Sequence, residues 1–336
     1  MAAALALGDE PGVRCRSKGR VVRVGYSRYN AYRRDILGSQ TTSFMAPDPN
    51  EFPRTIWCAW HQGLENAPEH VRRIVDLWRA LNPDYRVEVF EEPNVSDLLA
   101  DHNIDPSHLT PQVKADILRS VLLKTQGGLW VDATLLPVQG LSRWLDPLMN
   151  DTKFFAFTSA GDADLILSNW FLAARRGSCL MSRWCDFYLD YFQTRRRRPS
   201  WKRALYHRKP SDFLTFLRYD KLGQRTAFVD PNRARTCFFY PYAVHNYHLS
   251  FLLNTDPEVR GEWQDCPTLW HTLPLLMQRV SRDQNMQDSA LLAQMVALLD
   301  HSPVHKLNYQ DDRFLPVVEE VERRAGTGQP RLSSTR

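Results

Sequence analysis

Apolar and polar residues alternate in regular patterns from residue 52 onward, and they predict a domain that mixes strands and helices. The β-branched and aromatic run Thr55–Trp60 is typical of a strand. After Pro68 the apolar residues recur every three to four positions, as on one face of a helix, and Tyr85–Phe90 alternates like a second strand. A strand, a helix and a strand in this order form the unit from which parallel sheets are built.

The pattern continues toward the C-terminus with further helices and strands. A helix from Pro111 to about residue 126 stops at Gly127-Gly128, since glycine readily adopts the left-handed conformation that ends many helices. We therefore predict an α/β fold, a Rossmann-type sheet flanked by helices with a helical C-terminal region. The other predicted strands are Leu129–Pro137, Lys153–Ala160, Leu165–Ala174 and Pro303–Tyr309, and the other predicted helices are around 179–193, 210–222, 267–280 and 286–299.

Composition divides the chain of 336 residues into three parts. Residues 1–50 are rich in Gly, Ser, Arg and Pro and are predicted to be a partly flexible extension. Residues 51–312 form the predicted domain, with a basic insertion at 194–210, and residues 313–336 form a predicted tail with a disordered end. No apolar run reaches the ~20 residues of a membrane-spanning helix, and the N-terminus lacks the basic start of a signal peptide. The six cysteines are scattered, and we expect a cytoplasmic protein.

The positive charge of the chain is concentrated in one segment. Eight Lys and Arg and no acid lie between Arg195 and Lys209, whereas the net charge of the whole chain is only +5. Trp201 and Tyr206 are interleaved with these cations, as in segments that rest on anionic lipid. The segment is therefore interpreted as a solvated loop or as a contact with the inner face of a membrane. We expect no nucleic-acid partner, because no nucleic-acid-binding motif accompanies the run.

Three charged residues lie within otherwise apolar elements. Asp116 and Arg119 are three positions apart, so they share one face of the predicted helix. Asp132 lies near the end of the following strand, and ligands of open α/β sheets bind outside the carboxyl ends of strands. Burying such a carboxylate without a partner would cost several kcal/mol. These residues therefore point to a binding site rather than to packing.

The region 114–136 resembles the glycosyltransferases with a DxD sugar-binding motif, namely the family 32 mannosyl- and galactosyltransferases and the glucosylating clostridial toxins. Their pattern of Asp-x-x-Arg, Gly-Gly, an aromatic residue and a strand ending in Asp-x-Asp stands here as DILR, GGLW and VDAT. The Ala-Thr after the aspartate is most similar to the capsular polysaccharide synthesis subgroup. Ile56–Pro68, Leu167–Gly177 and Val304–Leu307 also resemble segments of that subgroup, so the resemblance spans about residues 52 to 310.

This resemblance implies a GT-A-like fold with an acceptor side in the helical C-terminal region. The implied activity is the transfer of a hexose from a UDP- or GDP-sugar to a glycan or lipid-linked acceptor, with retention, in capsular or surface polysaccharide synthesis. The implied catalytic residues are Asp132, Asp116 and Arg119. The implied donor-binding residues are Trp60, which would stack on the base, and Asp116, Arg119, Asp132, Thr134, Ser168, Asn169, His305 and Lys306.

The chain departs from the family pattern at one position, where Thr134 replaces the second carboxylate of the DxD motif. The resemblance implies Mn²⁺ or Mg²⁺ at Asp132, but a hydroxyl is a weaker ligand than a carboxylate for these hard cations. Either another acid completes the site, or cations such as Lys306 and Arg119 take over part of the work of the metal. A catalytically weak nucleotide-sugar- or carbohydrate-binding protein is the alternative function.

Each candidate residue also has a structural interpretation. Asp116 and Arg119 are also compatible with an ion pair inside the fold. The literal Asp-x-Asp at 162–164 follows a predicted strand in a loop that contains glycine, so it is interpreted as a turn. The remaining structural alternatives are a core position for Trp60, strand-end positions for Ser168 and Asn169, and a hydrogen-bonded interior histidine for His305.

Overall fold

The computed structural model describes residues 51–159, 164–199, 210–282 and 287–326. The predictions for residues 1–50 and for most of the basic segment, 200–209, lie outside these ranges. Within them, seven strands alternate with helices along the chain. The strands are β1 (Thr55–Ala59), β2 (Arg86–Phe90), β3 (Gly128–Val131), β4 (Leu135–Pro137), β5 (Phe154–Thr158), β6 (Leu167–Ala174) and β7 (Val304–Lys306).

Eleven α-helices lie in the described part of the chain, and most of them cover the sheet or extend the C-terminal half. They are α1 (Glu69–Leu81), α2 (Glu92–Asp101), α3 (Pro111–Thr125), α4 (Leu145–Met149), α5 (Cys179–Gln193), α6 (Pro210–Lys221), α7 (Val244–Thr255), α8 (Pro257–Gln264), α9 (Thr272–Val280), α10 (Asp288–Leu298) and α11 (Leu315–Ala325).

Five strands form the central sheet in the order β2-β1-β3-β6-β5. β1 pairs in parallel with both β2 and β3, whereas β6 runs antiparallel to β3 and to β5. The predicted β-α-β unit is therefore present as β1, α1 and β2. The predicted α/β class, a sheet flanked by helices, is confirmed.

Two apolar cores lie on the two faces of this sheet, and the central strand β3 contributes to both. Leu129 and Val131 pack into the core that contains α1, whereas Trp130 packs into the core that contains α3 and α5. This alternation follows from the two-residue period of a strand. All three side chains are buried, which explains why β3 is an apolar run in the sequence rather than an alternating one.

The predicted strand Leu129–Pro137 is two strands separated by a turn. The amide of Leu135 donates to the carbonyl oxygen of Asp132 at 2.9 Å, so the chain turns at residues 132–134. β4 then leaves the central sheet and pairs antiparallel with β7. The prediction missed this turn, because Asp132, Ala133 and Thr134 lie between apolar residues on both sides and include neither glycine nor proline.

The helices α7 and α8 were also absent from the prediction. The first seven residues of α7, from Val244 to Ser250, are all buried, so no polar face marks the helix in the sequence. The predicted tail 313–336 begins with a helix, α11, whose Val317, Val318 and Val321 are buried in the core beside α1. Residues 327–336 lie outside the described part of the chain.

Arg196 belongs to the predicted basic segment, but its side chain is buried rather than displayed. Its Nε donates to the carbonyl oxygen of Tyr191 at 2.8 Å, and its guanidinium lies 3.8 Å from the ring centroid of Tyr191. This cation therefore stabilises the end of α5 and is unavailable to a membrane surface. Among the described residues, no helix has the length and apolar character to cross a bilayer.

Candidate functional site

The parallel arrangement of β1 and β3 brings their carboxyl ends to one edge of the sheet. Trp60 follows β1 directly and Asp132 follows β3 directly, so both stand at this edge. β6 is antiparallel and begins at the same edge, where the amide of Asp132 donates to the carbonyl oxygen of Trp170 at 3.0 Å. Ser168 and Asn169, at the start of β6, are thereby placed beside Asp132.

A tight connection between α3 and β3 fixes the helix against this edge. Gly127 and Gly128 have φ values of 66° and 96°, in the left-handed region that favours glycine. A Cβ atom at Gly128 would lie 2.6 Å from the carbonyl oxygen of Thr55, so a side chain has no room there. At the other end of α3, Thr110 caps the helix by accepting from the amide of Val113 at 3.4 Å.

A cavity of about 710 Å³ opens at this edge of the sheet. Eight of the nine predicted donor-binding residues line it, and they come from five different elements or their ends. These residues are Trp60, Asp116, Arg119, Asp132, Thr134, Ser168, Asn169 and Lys306.

Asp132 lines this cavity and lies between two cations. Its Oδ1 accepts from Nη2 of Arg119 at 3.3 Å and from Nε1 of Trp130 at 3.1 Å, and its Oδ2 accepts from Nζ of Lys306 at 3.1 Å. Burial by itself would raise the pKa of Asp132, but the charges of Lys306 and Arg119 outweigh it and lower the pKa below its usual value. Asp132 is therefore ionised, and Lys306 also donates to the hydroxyl of Thr134.

Asp116 is more deeply buried than Asp132, and its carboxylate has one neighbouring cation, Arg119, whereas that of Asp132 has two. Nε of Arg119 lies 3.6 Å from Oδ1 of Asp116, Nδ2 of Asn169 donates to the same oxygen at 3.4 Å, and Nδ1 of His245 lies 3.8 Å from it. Burial raises the pKa of Asp116 to about 6, and the negative charge of Asp132 adds to the effect, while Arg119 opposes it. Burial also lowers the pKa of His245 well below its usual value, so this imidazole is neutral.

Asn169 links the two charged groups of α3 to the C-terminal helices. Its backbone carbonyl oxygen accepts from Nη1 of Arg119, and its side-chain oxygen accepts from Nδ2 of Asn246 in α7 at 2.9 Å. The neighbouring Ser168 shares a hydrogen bond of 2.8 Å with Nδ1 of His271, just before α9. The polar wall of the cavity is thus one connected network, which fixes the positions of its side chains.

Trp60 also lines the cavity and is partly buried. Its indole ring makes an edge-to-face contact with Tyr309, with 5.7 Å between the ring centroids. Both rings line the cavity. Trp57 instead is buried and donates to the carbonyl oxygen of Gly127 at 2.8 Å, so it supports the turn before β3.

His305 is the predicted donor-binding residue that the structure does not bring to the cavity. Lys306 reaches the cavity, and adjacent residues of a strand face opposite sides, so His305 points away from it. Its ring is fully buried, and Nε2 makes a 3.3 Å hydrogen bond with the carbonyl oxygen of Leu299. Burial lowers the pKa of His305 to about 4, so its ring is a neutral interior group.

The predicted Mn²⁺ or Mg²⁺ site at Asp132 does not fit the donors that the structure describes. Such a cation takes about six oxygen ligands, whereas both oxygens of Asp132 already accept from Lys306, Arg119 and Trp130. In the described ranges, no three His, Cys, Asp or Glu side chains form a group able to hold a metal ion. Asp162 of the literal DxD lies outside those ranges.

The cavity wall also contains residues that the sequence did not predict, namely Tyr242, Asn246, His271 and Tyr309. Asn246 carries a signal of the same kind as Asp116, because it is a polar residue within a buried helical stretch. Asn246 stands out in this way only after α7 has been recognised as a helix. His271 and Tyr242 lie outside regular helices and strands, where no periodicity singles them out.

The family model for capsular polysaccharide synthesis proteins matches residues 33–201, half of the chain. The chain belongs to this family. The matched range includes β1, α3, β3 and β6, and therefore Trp60, Asp116, Arg119, Asp132, Ser168 and Asn169, but it ends before Lys306.

Curated relatives are similar to this chain over shorter stretches. It is 29% identical over 155 residues to a glycosyltransferase, afumC, of Aspergillus fumigatus, covering 40% of this chain and 39% of that protein. It is 26% identical over 162 residues to the O-glycosyltransferase PaGT of Phomopsis amygdali, covering 42% and 39%. It is 24% identical over 121 residues to the initiation-specific α-1,6-mannosyltransferase of Candida albicans, covering 32% and 31%. The matches thus span about two fifths or less of these relatives.

Two solved structures are weakly similar to this fold. One is the PaToxG glycosyltransferase, with a TM-score of 0.30 and 14% identity over 42% of this chain and 61% of that chain. The other is the ligand-free glycosyltransferase domain of the YGT toxin, with a TM-score of 0.34 and 10% identity over 83% of this chain and 98% of that chain.

The raised pKa of Asp116 predicts how the stability of the protein changes with pH. The pKa of this carboxyl group is about 6 in the folded protein but returns to its ordinary value of 3.8 when the chain unfolds. The free energy of unfolding therefore falls by about 2–3 kcal/mol as the pH rises from about 4 to about 6, and this loss disappears in Asp116→Asn.

Urea unfolding at a series of pH values measures this difference between the wild type and Asp116→Asn. The matched control is Asp84→Asn, since Asp84 is exposed to solvent and should leave the pH dependence as it is. A wild type and an Asp116→Asn variant with parallel pH profiles would show that Asp116 titrates at an ordinary value.

Proposed function

We propose that this chain is a glycosyltransferase that moves a hexose from a UDP- or GDP-sugar to a glycan or lipid-linked acceptor, with retention of configuration, in capsular or surface polysaccharide synthesis. The observation that supports this most is the meeting of Asp116, Arg119, Asp132 and Lys306 in one cavity. They come from α3, the end of β3 and β7, and no packing requirement explains two carboxylates and two cations there.

The charges of the cavity suit the chemistry of sugar transfer. The bond between the anomeric carbon and the phosphate oxygen breaks, and negative charge grows on the released nucleoside diphosphate. The acceptor hydroxyl bonds to the same carbon, and its proton passes to the diphosphate. Fixed cations at Lys306 and Arg119 stabilise the growing charge, because they are held in place before the reaction begins.

Two further groups of cavity residues suit the sugar and the nucleobase of such a donor. Asp116 and the amide of Asn169 present an acceptor and a donor of hydrogen bonds for sugar hydroxyls. The rings of Trp60 and Tyr309 offer aromatic surface for the nucleobase. The curated relatives named above carry glycosyltransferase names, which supports the reaction class and leaves the donor sugar to experiment.

The acceptor is proposed to bind at the C-terminal rim of the cavity. Trp270 is 53% exposed and precedes His271, which lines the cavity. Leu273, two residues after His271, is also exposed, and so is Tyr242, which lines the cavity itself. Exposed aromatic and aliphatic side chains at a cavity rim favour a ligand with apolar surface, such as the face of a sugar ring or a lipid chain.

The donor is tested by purifying the full chain and incubating it with a panel of nucleotide-sugars. A true donor at a hundred times its Kd should stabilise the fold by about 2.7 kcal/mol, which a thermal shift detects. Turnover should fall by about 100-fold or more in Asp132→Asn, because the carboxylate that positions both cations is lost. NMR of the product reads the anomeric configuration.

Asp84→Asn serves again as the control and should keep full turnover, since Asp84 is exposed and outside the cavity. If no donor stabilises the chain or is turned over, the proposed function is wrong. A donor that binds without turnover would favour the alternative, a nucleotide-sugar-binding protein.

The acceptor rim is tested with Trp270→Ala. We expect KM for the acceptor to rise by about tenfold, because an aromatic contact is lost, while hydrolysis of the donor stays unchanged. Leu214→Ala is the matched control, since Leu214 is exposed on α6 and does not line the cavity. Equal KM values for the wild type and Trp270→Ala would place the acceptor elsewhere.

The basic segment 195–209 is proposed to hold the protein at the anionic inner face of a membrane, in the cytoplasm. Support comes from the sequence, where Lys202, Arg203 and Arg208 accompany Trp201. The full chain should sediment with phosphatidylglycerol vesicles at low salt, and replacing these three cations with glutamine should weaken binding by about 1 kcal/mol each. Equal binding to uncharged phosphatidylcholine vesicles would contradict this proposal.

A further inference from the structure

We infer that the ammonium group of Lys306 takes the place of the divalent cation that the DxD resemblance implies, so that this chain transfers sugar without a metal ion. This inference rests on the proposed function and concerns how the diphosphate is neutralised. It is carried by the contacts of Lys306 with the two side chains at which a DxD motif holds its metal.

Lys306 contacts the first and third positions of the motif together. Its Nζ donates to Oδ2 of Asp132 at 3.1 Å and to the hydroxyl of Thr134. These are the positions at which the related motif has two carboxylates. Thr134, the single departure from the family pattern, therefore contacts the ammonium group of Lys306, which we place in the role of the metal.

The formal charges support the replacement of a divalent cation by the ammonium group of Lys306. Two carboxylates and a divalent cation sum to zero, and so do one carboxylate, one hydroxyl and one ammonium group. A carboxylate at position 134 beside Lys306 and Asp132 would leave that balance negative by one. The replacement of an acid by Thr134 is thus the change that a lysine at this place requires.

The other hydrogen bonds of Asp132 also disfavour the binding of a metal ion. Its Oδ1 accepts from Arg119 at 3.3 Å and from Trp130 at 3.1 Å, so neither oxygen is free of a donor. A divalent cation would have to displace these donors and would be repelled by the guanidinium and the ammonium group at close range. In the described ranges Asp132 belongs to no group of three or more His, Cys, Asp or Glu side chains that could hold a metal ion.

The backbone holds Lys306 in this position. Lys306 stands opposite Leu135 in the β4–β7 pair, and the amide of the next residue, Leu307, donates to the carbonyl oxygen of Thr134 at 2.9 Å. Its side chain is 17% exposed, and it lines the cavity. It is therefore a preorganised cation rather than a mobile surface lysine, which is what stabilisation of a leaving diphosphate requires.

The first test measures turnover of the identified donor by the full chain in EDTA and in Mn²⁺. We expect the same kcat in both. Lys306→Ala should lose about 100-fold in kcat, and Mn²⁺ should not restore it. Lys306→Arg keeps the positive charge and should recover a large part of the loss. A wild type that is inactive in EDTA and restored by Mn²⁺ overturns the inference, while the proposed function stands.

The second test follows Mn²⁺ binding by electron paramagnetic resonance in the presence of UDP or GDP, and it needs no turnover. The wild type should bind no more Mn²⁺ than the nucleotide alone. The double variant Thr134→Asp/Lys306→Ala restores the family pattern and should bind Mn²⁺ at least about tenfold more tightly. Stoichiometric Mn²⁺ binding by the wild type that is lost in Asp132→Asn would overturn the inference. Absence of turnover on every donor contradicts the proposed function instead.

Discussion

The site depends on one carboxylate, Asp132, held between the guanidinium of Arg119 and the ammonium group of Lys306. Both cations lower the pKa of Asp132 and keep it ionised in spite of its burial. The carboxylate in turn keeps two positive groups close together that would otherwise repel each other. Removing any one member changes the charge balance around the other two, and this makes the three side chains a single unit.

The architecture of the sheet explains how distant residues reach this unit. β1 and β3 end at the same edge because they are parallel, and the turn after β3 directs β4 toward β7. Lys306 thus approaches Asp132 from the C-terminal end of the chain, 174 residues away. The left-handed Gly127 and Gly128 complete the arrangement by placing Arg119 beside Asp132. The same strands that build the cores therefore position the charges.

Much of the fold could be predicted from the sequence, because α1 follows the helical period and α3 is bounded by Pro111 and by Gly127. α7 could not, since its buried face extends around the helix and periodicity gives no signal there. The turn at residues 132–134 was missed because apolar residues flank it on both sides. Local pattern predicts an element where burial differs between its faces, or where proline and glycine mark its ends.

The candidate site residues were predicted largely through resemblance, and the position of His305 outside the cavity has a physical reason. His305 and Lys306 are adjacent in a strand, so the alternation of side chains allows only one of them to face the cavity. Asn246 and His271 could not be predicted, because their roles depend on tertiary contacts with Asn169 and Ser168. Contacts of this kind exist only once the chain has folded.

A crystal structure of the full chain with bound UDP or GDP would show whether the charges around Asp132 form a nucleotide-sugar site. We expect the diphosphate to lie within hydrogen-bonding distance, about 3 Å, of both Nζ of Lys306 and the guanidinium of Arg119. We also expect the base to lie against Trp60 or Tyr309. A nucleotide bound outside this cavity, or a diphosphate that contacts neither cation, would contradict these expectations.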